Sequence, residues 1–159
     1  MAAETRFAAL ALIAALAWPA AASAEVEWAL RKEKGRAFLQ GMQNVSEVDY
    51  EFWAHCRADG AIEVGAGAES HVGRGNGEAV TLKLAAGLRR ATLTGVSRES
   101  ANIEMTGGIE LRAVIARGHP LFTVLANGKP IKVSGPIKPI TWPVNGLKAK
   151  AAEFLKQCK

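Results

Sequence analysis

Short segments in which apolar and polar side chains alternate strictly constrain this chain more than any other feature. From Val48 to Arg57, Val48, Tyr50, Phe52, Ala54 and Cys56 fall on one face, while Asp49, Glu51, Trp53, His55 and Arg57 fall on the other. A period of two belongs to a half-buried strand, because successive Cβ atoms point to opposite sides. Asp59-Gly60 then marks a tight turn into Ile62-Glu63-Val64. Val80-Leu82-Leu84, Ala91-Leu93, Ile103-Met105 and Ile109-Leu111-Ala113-Ile115 repeat the pattern. Leu121 to Ala126 is apolar on both faces, which predicts a central or doubly covered strand. Asn127-Gly128 predicts a hairpin from it into Ile131-Lys132-Val133. About eight short strands with glycine turns predict a mainly β fold of the α+β kind, an antiparallel sandwich or partly closed barrel.

Two segments carry a helical period instead. Leu147, Ala151, Phe154, Leu155 and Cys158 share one helical face, so a C-terminal helix packs on the sheet, with Asn145 as its N-cap. Trp28, Phe38, Leu39 and Met42 fall on one side of a helical wheel, which places a helix near Arg31–Gln43 with Gly35 as an interruption. Pro136, Pro139 and Pro143 impose an extended connection between them. The glycine-rich stretch from Gly65 to Gly77 reads as a mobile hairpin loop, since ordering it costs about 1–2 kcal/mol per residue and only Val72 could offset that by burial.

The N-terminal stretch reads as an address. Phe7 to Trp18 is unbroken apolar sequence, too short for a bilayer span of about 20 residues. Pro19 ends it, and Ala22-Ser23-Ala24 supplies the small residues of a signal-peptidase site. We therefore expect a signal peptide over 1–24, cleaved after Ala24, and a single globular domain over 25–159 in the periplasm or outside the cell. No later stretch is long and apolar enough to be a transmembrane segment.

An oxidising destination gives the cysteines their role. Cys56 lies on the apolar face of its strand and Cys158 on that of the last helix, so both point to the interface where helix meets sheet. The expected result is a disulfide between Cys56 and Cys158.

The search for chemistry returns little. Ser70-His71 beside Glu69 is the one serine–histidine pair, but neighbours in sequence rarely attain catalytic geometry, and Gly-x-Ser-x-Gly is missing. Gly73-Arg74-Gly75-Asn76-Gly77 lacks the Lys-Ser or Lys-Thr and the helix that a phosphate loop requires. Metal motifs are absent, and Glu69, His71 and Glu78 offer at most a casual cation contact. Asp49, Glu51, Glu63, Glu104 and Glu110 occupy solvent-side strand positions, and a carboxylate pair drawn from distant strands stays open. No catalytic, cofactor or metal residues are assigned. Trp53 on a polar face and Trp142 among prolines are the candidate binding face. The net charge of +5 is scattered over Arg31, Lys32, Lys34 and Arg36, over Arg89 and Arg90, and over Lys148, Lys150, Lys156 and Lys159. That pattern does not suit nucleic acid but suits an anionic envelope polymer.

The Trp53-x-x-Cys56 strand and the Gly146-Leu147 helix ending in Phe154-Leu155-x-x-Cys158 resemble those of small secreted proteins of Gram-negative bacteria, alphaproteobacteria especially, of unassigned function. In style they are similar to the invasion-associated locus B group, whose usual additional cysteines are missing here. The resemblance implies an envelope protein and brings no catalytic residues. The expectation is an exported, non-enzymatic binding domain for a protein partner, an envelope glycan or an apolar ligand. The alternatives are a small exported hydrolase or an accessory subunit of an envelope complex.

Overall fold

The computed structural model of the protein describes residues 26–43, 50–67, 71–100 and 108–158. Its nine strands are β1 (Val26–Glu33), β2 (Arg36–Gln43), β3 (Tyr50–Cys56), β4 (Ile62–Ala66), β5 (Asn76–Ala86), β6 (Arg89–Glu99), β7 (Ile109–Ile115), β8 (Ile131–Gly135) and β9 (Ile137–Trp142). They form one antiparallel sheet in the order β1-β2-β3-β4-β7-β6-β5-β8-β9, curled into a nearly closed barrel. Helix α1 (Leu121–Leu125) lies between β7 and β8, and α2 (Leu147–Gln157) follows β9 and packs against the sheet.

Alternation decides which side chains fill the barrel. Phe52, Ala54 and Cys56 of β3, Ile62 and Val64 of β4, Leu82 and Leu84 of β5, and Leu111 of β7 form one buried cluster. The first and last strands meet through tryptophans. The Trp28 indole N–H donates to the Pro143 carbonyl at 2.6 Å, and the rings of Trp28, Trp142 and Phe52 lie 5.7–6.1 Å apart. This contact substitutes for the ladder that full closure would need. The expected disulfide is present: Cys56 is joined to Cys158 across a separation of 102 residues, tying α2 to the end of β3.

Three local expectations are corrected. The Arg31–Gln43 segment is no helix but the β1–β2 hairpin, with Lys34 (φ 48°) and Gly35 (φ 79°) forming its two-residue turn. Gly35 therefore supplies the left-handed backbone a tight hairpin needs. Leu121 to Ala126 is not a strand. Pro120 favours the first turn of a helix, the His119 Nδ1 accepts from the Leu121 N–H at 3.1 Å, and α1 sinks Leu121, Phe122, Val124 and Leu125 into the core. A short helix buried on most sides is apolar throughout, so periodicity could not separate it from a strand. Asn127-Gly128 accordingly ends a helix rather than joining two strands. At α2 the N-cap is Gly146, not Asn145.

The glycine-rich connection is no hairpin either. It runs from β4 to β5, which are separated in the sheet by β7 and β6. Crossing them, it buries Val72 completely and anchors it by a 2.8 Å bond from the Val72 N–H to the Ile109 carbonyl.

Candidate functional site

The outward face of β2, β3, β4 and β7 carries the polar and aromatic side chains excluded from the barrel. Register places Gln40 opposite Trp53, Phe38 opposite His55, and Trp53 opposite Gly65. Gly65 matters because a Cβ there would lie 2.1 Å from the Trp53 Nε1; its absence lets the indole lie across β4. The ring thereby reaches β7, where its N–H donates to Glu110 Oε2 at 2.9 Å. The other oxygen of Glu110 accepts from Arg112 Nε at 2.7 Å. Arg112 lies 5.7 Å from the Trp53 ring centroid, within cation–π range.

Beside this anchored indole stand two more rings. Trp53 and His55 are 5.5 Å apart and within 8° of parallel; Phe38 is 6.3 Å from Trp53 and 6.4 Å from His55, tilted by 12° and 17°. Glu63 Oε2 lies 3.3 Å from His55 Nε2, an ion pair when the imidazole is protonated. The three centroids form a triangle, in which Glu110 holds Trp53 and Glu63 faces His55. The cluster floors a groove of about 580 Å³, flanked by Arg31, Lys32 and Glu33 from the edge strand β1 and by Gln40, Ser100 and Arg112. That volume is in the range of small-ligand sites.

Of the two tryptophans expected on a binding face, Trp53 lies half-buried on the outward face of the sheet and Trp142 does not. Trp142 is 1% exposed inside the barrel and forms part of the core. Phe38 was missed because it was grouped on a helical wheel with Trp28, from which the β1–β2 pairing separates it. Alternation along Ala37-Phe38-Leu39-Gln40, with Ala37 and Leu39 buried in the core, was the signal that could have found it.

The other sequence candidates do not assemble. Ser70, Glu69, Asp49 and Glu104 lie outside the described residues. His71 is exposed on the crossing loop with φ 51°. Glu63 and Glu110 carry the contacts just described, so Glu110 spends both oxygens on positioning Trp53 and Arg112. The possible phosphate cradle is filled from within: Glu78 accepts from the Arg74 and Asn76 backbone N–H groups, and Ser97 Oγ accepts from that of Gly75 at 2.8 Å. The Arg74 N–H in particular holds the Glu78 carboxyl below its ordinary value. Among the described residues no group of three or more potential ligands could hold a metal ion, and no helix is long and apolar enough to cross a membrane.

No protein-family model matches the chain, and no curated protein or solved structure matches it.

Proposed function

We propose that the protein is an exported, non-enzymatic binding domain, and that the groove along Phe38, Trp53 and His55 takes a carboxylate-bearing glycan of the cell envelope. The observation that carries this reading is the anchored cluster of three near-parallel rings in a polar groove. Such rings suit the apolar faces of pyranose units. Arg112 is paired with Glu110, and Arg31 and Lys32 on the edge strand β1 are the cations that would meet the carboxylate of an acidic sugar. The disulfide and the N-terminal apolar stretch support export. Intact mass of the secreted product is expected to show loss of residues 1–24.

The binding test is calorimetric titration with a uronate-containing hexasaccharide and with a neutral hexasaccharide of equal length. The acidic sugar should bind, the neutral one should bind more weakly, and Trp53→Ala should lower affinity at least tenfold. Trp53→Ala binding like the unaltered protein, or no binding of either sugar, would refute the proposal.

A further inference from the structure

The β5–β6 hairpin lies on a different part of the sheet from Trp53, with β4, β7 and β6 between β3 and β5. Its strands are the longest in the fold, eleven residues each. The register of β6 on β7 sets Leu93 level with Ile115, where β7 ends, so Arg89–Thr92 run on beyond that neighbour. At the tip, Leu88 is 97% exposed. An exposed leucine alone means little; this one has an unusual setting.

The turn beneath it is held in place. Gly87 takes φ 58°, the Asn127 side-chain amide donates to the Ala86 carbonyl at 2.7 Å, and the Arg90 guanidinium donates to the Gly87 carbonyl. Cations surround the tip: Arg89 and Arg90 follow it, and the Lys129 Cδ lies 3.0 Å from where a Gly87 Cβ would be. The strand pairing brings the turns of β1–β2 and β3–β4 to the same end of the barrel, with Lys34, Arg36 and Arg57, and the exit of β7 adds Arg117. No acidic residue occurs in 79–98 or in 111–152. At this end, Asp59 is paired with Arg57 at 3.2 Å, leaving Glu33 as the other carboxylate on these turns. Towards the opposite end Glu51, Glu78, Glu99 and Glu110 are interleaved with Arg74, Arg98 and Arg112, so the unbalanced positive charge lies at the hairpin end.

We infer that this basic rim docks on an anionic membrane surface, with Leu88 entering the headgroup–acyl boundary and Arg89, Arg90 and Lys129 meeting lipid phosphates. The cations supply attraction that falls off within a Debye length, and their excess at the hairpin end turns that end towards the bilayer. A leucine presented at a rigid tip gains nothing from a soluble polyanion in water but is stabilised by acyl chains.

The test is sedimentation of the secreted form of the protein with phosphatidylcholine vesicles, with or without about 30% phosphatidylglycerol, at low and high salt. Binding should require the anionic lipid and weaken with salt. Each of Arg89→Ala and Arg90→Ala should lower it about fivefold, and Leu88→Ser about tenfold, while thermal unfolding stays unchanged for Arg89→Ala and Leu88→Ser, whose side chains are exposed. Trp53→Ala should bind vesicles normally, which separates this surface from the glycan groove. No binding, equal binding to neutral vesicles, or Leu88→Ser binding like the unaltered protein while soluble polyphosphate competes fully would each overturn the inference.

Discussion

Trp28 and Trp53 use the same device on opposite faces of one sheet. Each indole lies over a glycine on the neighbouring strand: Trp28 over Gly41, where a Cβ would come within 2.9 Å of the ring, and Trp53 over Gly65, where it would come within 2.1 Å. Each also spends its N–H on a distant partner, Pro143 or Glu110. The surroundings differ. Trp28 is 1% exposed and packs on Phe52 and Trp142, where it draws the two ends of the sheet together. Trp53 is half-buried beside His55 and Arg112. Cross-strand glycines let large rings lie down on a sheet; whether the ring closes the fold or offers a surface is decided by which face it occupies.

That contrast can be broken by mutation. Trp28→Ala should cost about 3–5 kcal/mol in chemical denaturation, as for a fully buried large aromatic, and loosen the β1–β9 seam. Trp53→Ala should cost far less stability while lowering affinity for the proposed glycan at least tenfold. If the two losses of stability were equal, the division of roles would fail. Cys158→Ser should cost about 2–5 kcal/mol, the usual figure for a native bridge in a small secreted domain, and leave the Trp53 groove intact because the bond ties down α2.

Gly41→Ala and Gly65→Ala sharpen the comparison at a smaller scale. Trp28 has no room to retreat, so Gly41→Ala should cost about 1–3 kcal/mol by overpacking. At Gly65 the added methyl should displace the half-exposed indole, with a smaller loss of stability and a larger loss of binding. Equal effects on binding would show that Trp53 is not the contact.

How far the sequence disclosed this architecture varies from place to place. The strands of alternating residues, the Cys56–Cys158 bond and the C-terminal helix were legible, because a two-residue period and a buried helical face are local signals. The hairpin hidden in Arg31–Gln43 was obscured because Trp28, Phe38, Leu39 and Met42 also satisfy a helical wheel. The anchor of Trp53 was not legible: Glu110 is 57 residues away and reaches it only because β7, not β5, pairs with β4. Strand order is a long-range property that no local pattern encodes.

The smallest expected effect is a pH dependence at the end of the barrel that α1 helps to close. Burial holds His119 below its ordinary value of 6.5, and its neutral Nδ1 accepts from the Leu121 N–H. A depressed folded-state value means that this contribution is fully present above about pH 6.5 and is lost as pH falls through the lowered value. Thermal melting followed from pH 8 downward should show the decline beginning near that point, and His119→Asn should flatten it.

The central claim is that one tryptophan serves the ligand and two serve the fold, and the indole N–H resonances report it directly. In ¹H–¹⁵N spectra of the protein during titration with the uronate hexasaccharide, the Trp53 signal should shift and saturate. The Trp28 and Trp142 signals should hold their positions and exchange slowly with solvent. Movement of Trp28 or Trp142 with Trp53 unmoved would contradict the account.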